Sequence, residues 1–148
     1  MSKKPYSDRG DLPRALIFLP LGLFLLCFTV WLIQYQLDFL AHAQRAEGHV
    51  SALNAGGSHP QIDFADATGK AVSFPQGGLI FGYAVGDSVT VLYRAESPSS
   101  TASLESLGAL WGANLMVGMF AIVFTAGGGT HLAACIRRRK TAQPWQGG

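Results

Sequence analysis

One run of apolar residues restricts the fold of this chain more than any other feature. Leu16–Ile33 (LIFLPLGLFLLCFTVWLI) contains no charged side chain. An α-helix rises about 1.5 Å per residue, so about 20 apolar residues cross the roughly 30 Å of hydrocarbon in a bilayer. Backbone groups in lipid must be paired within the segment, which a helix achieves. With its flanks, this run predicts a transmembrane helix over residues 14–36.

A second apolar run lies near the other end of the chain. Leu110–Ala126 (LWGANLMVGMFAIVFTA) is also uncharged, and with its flanks it predicts a transmembrane helix over residues 108–136. Only 14% of the residues are charged, against about 25% in soluble domains. If both runs were core helices of a soluble protein, the rest of a chain of 148 residues would supply too little polar surface to cover them. The expected partner of both helices is therefore the lipid bilayer.

The basic residues predict how the chain crosses this membrane. Segment 137–148 contains Arg137–Lys140 and no acid, and segment 1–13 carries further bases. Because Lys and Arg collect on the cytoplasmic side, both segments are predicted to be cytoplasmic tails. Residues 37–107 are then predicted to lie outside the cell (inner) membrane. The short basic tail is interpreted as a topology anchor, and no nucleic-acid partner is expected.

A cleaved signal peptide is the alternative for the first helix. Ala41-His42-Ala43 has the small-x-small form of a cleavage site. However, the apolar run is longer than the 7–15 or so residues of a signal peptide core, and the site lies well beyond its end. The first helix is therefore expected to be retained, with cleavage after Ala43 as the alternative.

The middle segment changes from a helical period to a period of two residues. Residues 37–43 are expected to continue the first helix as a collar, followed by alternating apolar and polar residues. Turn signals at Asn54–Ser58 and Asp66–Lys70 separate these stretches. About five short strands in about 60 residues predict a small antiparallel, β-barrel-like domain of SH3 or OB size. The fold class is thus an α+β membrane protein, and its predicted core is Val50, Ile62, Phe64, Val72, Phe74, Val89, Val91 and Tyr93.

Two groups of residues are predicted to shape the fold. Gly86 and Asp87 form a tight turn before the strand Ser88–Tyr93, with Asp87 expected to bond within the turn. Small residues at helical spacing let helix backbones approach closely. The second helix is therefore predicted to pack on the first helix, or on a second copy in a homodimer, through Gly108, Gly112 and Gly118. Gly127–Gly129 is expected to loosen the second helix near its inner end.

The residues give little sign of catalysis. The chain lacks a Gly-x-Ser-x-Gly elbow, a phosphate loop, a His-Glu-x-x-His helix and a Cys-x-x-Cys pair. Metal-ligand types do occur in the middle segment, but their spacing matches no metal-site pattern. They are His42, His49, His59, Asp63, Asp66 and Asp87. No catalytic residue, cofactor or metal is therefore predicted, and the chain is not expected to be an enzyme.

The order of elements resembles a bacterial membrane family catalogued as domain of unknown function 3592. The resemblance rests on Gly48-His49-Val50, on Pro60–Phe64, and on Tyr83–Tyr93 followed by Pro98 and the second helix. It covers about residues 15–130, and Arg94–Ser97 departs from the usual Asp-Pro and Asn-Pro turn. The resemblance implies a membrane protein with an outward β domain and no assigned activity.

Three functions are compatible with this organisation. In the favoured one, the outward β domain binds a protein, a peptide or a glycan, or assists an envelope complex, without catalysis. In the second, the helices make the chain an accessory subunit of a transporter or protease. In the third, the chain is an enzyme with an unrecognised site.

Overall fold

The computed structural model describes residues 11–54 and 59–141. The elements in chain order are α1 (Asp11–His42), β1 (Gln44–Asn54), β2 (His59–Ala65), β3 (Ala71–Pro75), β4 (Ser88–Tyr93), α2 (Pro98–Thr101), β5 (Ser103–Leu104) and α3 (Leu107–Thr141). Two long apolar helices therefore flank an antiparallel sheet along the chain. Most of both predicted tails, at 1–10 and 142–148, and the centre of the predicted turn at 55–58 lie outside the described residues.

The chain divides into two compact units. One unit comprises the residues up to Val30 together with those from Val117 onward, and the other is Trp31–Met116. The first unit therefore contains most of α1 and α3. The second contains the sheet, the last turns of α1 and the first turns of α3.

The five strands form one curled sheet in the order β3-β2-β1-β4-β5, and all neighbouring strands are antiparallel. The long strand β1 lies at the centre, pairing with β4 through its first half and with β2 through its second half. Its register shifts between Val50 and Ala52, which is a β-bulge. The predicted strands are therefore present, but β3 and β5 are edges, and among the described residues no ladder closes the sheet into a full barrel.

A buried glutamine bridges the gap between these edges. Gln76 directly follows β3 and is only 6% exposed. Its side-chain Oε1 accepts a hydrogen bond from the Leu104 N–H of β5 at 2.7 Å, and its backbone N–H donates to the Pro60 carbonyl at 2.9 Å. The short helix α2 also contacts both β3 and β4. The open side of the curled sheet is thus bridged by the Gln76 side chain and by the single turn of α2.

The core lies inside the curl and closely follows the predicted set. Seven of the eight predicted residues are buried, and Ile80 and Leu104 join them. Val89 is the exception, since it is only partly buried at the margin of the core. The reason is that β5 is two residues long and pairs with Val91 and Leu92, so Val89 lies beyond its end. Phe64 anchors the cluster, with its ring centroid 6.0 Å from Phe74 and 5.1 Å from Tyr93.

The β2–β3 hairpin is fixed by a single carboxylate. Asp66 Oδ1 accepts hydrogen bonds from the Thr68 hydroxyl at 2.6 Å, the Thr68 N–H at 2.8 Å and the Lys70 N–H at 3.1 Å. Gly69 takes the positive φ of 84° that this turn requires. These bonds, led by that from the Thr68 hydroxyl, lower the pKa of Asp66 below its ordinary value.

The two long helices keep large apolar side chains exposed. Leu16 on α1 is 66% exposed and Ile122 on α3 is 65% exposed. Both helices are long and apolar enough to cross a bilayer. Contrary to the expectation of a loosened inner end, α3 runs without interruption through Gly127–Gly129 to Thr141. Packing of Gly128 on Leu19 of α1 explains this, because tertiary contacts outweigh the low helix propensity of glycine.

Replacing Gln76 with Leu should open the gap between β3 and β5. The Leu104 N–H would lose its acceptor while staying buried, which costs about 1–3 kcal/mol. Hydrogen exchange of the full chain in detergent micelles, followed by mass spectrometry, should show faster exchange in peptides containing Leu104. Gln61→Leu is the matched control, because the Gln61 side chain bonds other side chains on the exposed side of the sheet. Equal exchange in both variants would contradict the assigned role of Gln76.

Replacing Thr68 with Val should raise the pKa of Asp66 toward its ordinary value, because the hydroxyl donor is lost. A carboxylate with a lowered pKa stabilises the fold above its ordinary pKa and loses that effect as the pH falls through the lowered value. The variant hairpin should therefore lose less stability on acidification. An NMR titration of the Asp66 carboxyl carbon measures the shift. Thr90→Val is the control, and an unchanged Asp66 titration in the Thr68 variant would refute the assignment.

Candidate functional site

A groove lined by both polar and apolar residues lies along the sheet. Val50, Ile62 and Val91 point into the core. Side chains alternate along a strand, so residues an odd number of positions before or after these three point away from the core. The groove has a volume of about 800 Å³. The polar side chains that line it are Glu47 and His49 of β1, Asp63 of β2, and Ser88 and Thr90 of β4.

The register aligns these groups into rows across three strands. His49 lies opposite Asp63 on one side and opposite Ser88 on the other, while Glu47 lies opposite Thr90. Asp63 accepts a hydrogen bond from the Ser73 hydroxyl at 2.5 Å. The side chains of Glu47 and His49 make no hydrogen bond or ion pair with any part of the chain that the structure describes. The groove therefore presents an acid and an imidazole that remain available to a partner.

The Gly86–Asp87 turn directly precedes Ser88, which lines this groove. Gly86 has a φ of 94°, and Asp87 Oδ2 accepts a hydrogen bond from the Ala84 N–H at 2.7 Å. The Gly86 N–H donates to the Val50 carbonyl at 2.8 Å, and the Val50 N–H donates to the Asp87 carbonyl at 3.0 Å. The turn thus satisfies backbone groups at the start of the β1 bulge. The Asp87 carboxylate shapes the turn.

The three helix glycines lie against neighbours in their own chain. Gly108 and Gly112 face Leu79, with the Cβ position of Gly108 only 1.6 Å from the Leu79 carbonyl oxygen. Gly118 faces the Thr29 methyl group of α1 at 3.4 Å. Of the three, therefore, only Gly118 faces the first helix. The homodimer through α3 stays a prediction.

Two tighter helix contacts involve glycines that the sequence did not single out for packing. A Cβ on Gly22 would lie 2.4 Å from the Thr125 backbone nitrogen, and one on Gly128 would lie 2.5 Å from the Leu19 backbone nitrogen. Phe18 and Phe124 pack beside them, with centroids 5.7 Å apart. Neither Gly22 nor Gly128 is part of the Gly-x-x-x-Gly spacing at Gly108 and Gly112. Only the pairing of the two helices reveals their role.

A cluster of polar side chains joins the first turn of α1 to the last turns of α3. Asp11, which is buried, lies 3.0 Å from His131 Nδ1 and 3.1 Å from Arg138 Nη1. A negative charge in the first turn of α1 also interacts favourably with the helix dipole. The sequence pattern does not reveal this cluster, because His131 and Asp11 are 120 positions apart.

The described residues contain no metal-type cluster. Within 11–54 and 59–141, no three His, Cys, Asp or Glu side chains come together in a way that could hold a metal ion. The His42 ring instead lies 2.8 Å from the Asp38 carbonyl of its own helix. Asp66 and Asp87 are engaged in their turns. These three side chains therefore bond within their own helix or turn.

A comparison with known proteins places this chain in a family. It is 49% identical over 124 residues to the immune protein Tsi4 of Pseudomonas aeruginosa, covering 84% of this chain and 86% of Tsi4. The chain belongs to the family of immune protein Tsi4. A match of that length leaves only about 24 of the 148 residues outside, so it includes the whole sheet.

Two other comparisons gave no match. No protein-family model matches the chain, and no solved structure matches it. The resemblance to domain of unknown function 3592 therefore stays a prediction. The relationship to Tsi4 is the finding on which a function can be argued.

The glycine triplet of α3 offers an internal test of helix packing. Gly128→Ala should destabilise the helix pair by about 1–3 kcal/mol, because its methyl group would overlap the Leu19 backbone. Gly127→Ala and Gly129→Ala meet no atom within 4 Å and should be neutral or stabilising. Thermal unfolding of the full chain in micelles, followed by circular dichroism, compares the three. Equal melting temperatures would show that the helices do not pack in this way.

Proposed function

We propose that this chain is a membrane-anchored immune protein that protects the cell producing it by binding a toxic protein. The observation that carries this proposal is the 49% identity to immune protein Tsi4 over most of both chains. Such protection needs a surface that holds a partner and requires no reaction. The function is therefore a non-enzymatic one.

Exposed apolar side chains on α1 and α3 support the membrane anchor. A single exposed apolar side chain is common on a protein surface. Both helices, however, carry many exposed apolar side chains along their length. Examples are Leu23, Phe24 and Val30 on α1 and Leu115, Phe120 and Val123 on α3. Burying each of them in lipid contributes about 1.5–3 kcal/mol. Lipid is therefore the solvent that these faces require.

The basic residues at the end of α3 orient the anchor. Arg137, Arg138 and Arg139 follow the last apolar turns, as expected of a cytoplasmic flank. The sheet then lies on the opposite, outer side of the cell (inner) membrane. A toxic protein arriving from outside the cell would meet this domain first.

Charge supports the outer groove as the surface that binds the partner. Between residues 43 and 106 the chain has three basic residues and six acidic ones. Two of the bases are already engaged, Arg45 with Glu105 and Arg94 with Asp38. The groove itself holds Glu47 and Asp63. A basic segment of the toxic protein would complement it, and complementary charge also speeds association.

A strain that lacks this chain should lose protection against its own relatives. In a mixed culture on a solid surface, the deletion strain should be outnumbered by its parent, and a plasmid carrying the full chain should restore parity. Colony counts of the two marked strains measure the outcome. Equal survival of the deletion strain and its parent would reject the proposed immunity.

Charge reversal tests the groove separately. Glu47→Lys combined with His49→Lys should abolish rescue, because two new positive charges would face the basic segment, and an unfavourable charge at an interface costs several kcal/mol, equivalent to a hundredfold or more in affinity. Lys70→Glu is the matched control, since Lys70 lies in the β2–β3 turn outside the groove. Immunoblots check that all variants reach equal levels. Full rescue by the double variant would place the partner on another surface.

A further inference from the structure

The segment between β3 and β4 combines exposed apolar side chains with an attachment to α3. Residues 77–86 (GGLIFGYAVG), here named the apolar loop, carry no charged side chain. Phe81 is 76% exposed and Val85 is 62% exposed. Leu107, at the first position of α3, is 80% exposed. An uncharged stretch with a bare phenylalanine is unusual on a surface that faces only water.

The apolar loop is held at the outer start of α3 by backbone contact. The Leu79 N–H donates to the Gly108 carbonyl at 3.2 Å, and a Cβ on Gly112 would lie 3.3 Å from the Leu79 side chain. Gly78 has a φ of 109°, and its Cβ position is 3.0 Å from the Gly108 carbonyl oxygen. The loop therefore crosses the first two turns of α3, where that helix begins its apolar span.

A second anchor fixes which side chains face outward. Ile80 is buried in the core of the sheet, whereas its neighbours Leu79 and Phe81 are exposed. Tyr83 is partly buried against the same core. Since the loop is pinned by Ile80 on one side and by Gly108 on the other, Phe81 cannot turn inward without breaking one of these contacts.

We propose that the apolar loop inserts Phe81 and Val85 into the outer headgroup region of the bilayer. The inference rests on the proposed membrane insertion of α3. The loop contacts Gly108 and Gly112 of α3, and Leu115 and Met116 in the next turn of that helix are exposed, so a bilayer around the helix would lie beside the loop. No charge has to be desolvated, and aromatic side chains favour this depth of the membrane.

Trp31 and Tyr35 on α1 are suited to the same depth, the outer headgroup region of the bilayer. Their rings stack with centroids 6.0 Å apart, and both side chains are more than half exposed. Both residues belong, like the apolar loop, to the unit Trp31–Met116. An inserted apolar loop would give the sheet a contact with the lipid interface in addition to its two covalent links to the helices.

The experiment uses the full chain with Cys27→Ala and Cys135→Ala, reconstituted in vesicles of phosphatidylethanolamine and phosphatidylglycerol. Single cysteines are introduced by Phe81→Cys, Val85→Cys, Thr68→Cys and Met119→Cys, and each is labelled with an environment-sensitive fluorophore. Lipids with a nitroxide near the headgroup or near the chain end quench from the membrane, and iodide quenches from water. Thr68 in the β2–β3 turn is the water control, and Met119 within α3 is the lipid control.

Labels at 81 and 85 should lose most of their emission to the headgroup nitroxide and be protected from iodide, while the label at 68 behaves oppositely. If the labels at 81 and 85 are quenched by iodide like the label at 68, while the label at 119 is still quenched by the nitroxide lipids, the loop inference is overturned and the membrane anchor stands. If iodide also quenches 119, membrane insertion itself fails, and the loop inference fails with it. Two loop positions guard against a local effect of either substitution.

Discussion

The backbone contact between Leu79 and Gly108 is the point on which the outer unit depends. It joins the loop after β3 to the first turn of α3, and no side chain larger than hydrogen fits there, because a Cβ on Gly108 would overlap the Leu79 carbonyl oxygen. Ile80, the next residue, is buried in the sheet core. One dipeptide therefore couples the packing of the β domain to the position of α3. Without that contact the sheet would be attached to α3 through the short link after β5 and through Ala109, which packs against the core.

Side-chain hydrogen bonds complete this small domain in places where a larger sheet would use backbone ladders. Gln76 bridges β3 and β5, Asp66 organises the β2–β3 hairpin, and Asp87 organises the turn before β4. The Ala67 N–H also donates to the buried Tyr93 hydroxyl at 2.8 Å. Both cysteines, Cys27 and Cys135, are free and lie in the helices, so no disulfide assists the described part of the sheet. Each of these side chains bonds a backbone group that would otherwise be unpaired.

The sequence predicts the parts of this fold that depend on local pattern. Period-two alternation identified Val50, Ile62 and Phe64 as core, and the charge-free runs located both long helices, since these signals need only neighbouring residues. The bridge that Gln76 makes between β3 and β5 could not be predicted, because it pairs a side chain with a backbone group 28 residues away. The helix contacts at Gly22 and Gly128 were missed for the same reason: spacing along one helix does not reveal which glycine faces the other. The groove needs the sheet register, which places His49 beside Asp63 and Ser88.

The exposed surfaces of the chain separate according to the solvent that each one requires. Glu47 and His49 on the sheet must remain in water, because removing an unpaired carboxylate from water is very costly. Leu115 and Met116 on α3 favour hydrocarbon, and the stacked Trp31 and Tyr35 are suited to the zone between. These three kinds of surface occur within one compact unit, Trp31–Met116. Within this unit, groups that favour water, hydrocarbon and the zone between them are thus held on one framework of strands and helix ends.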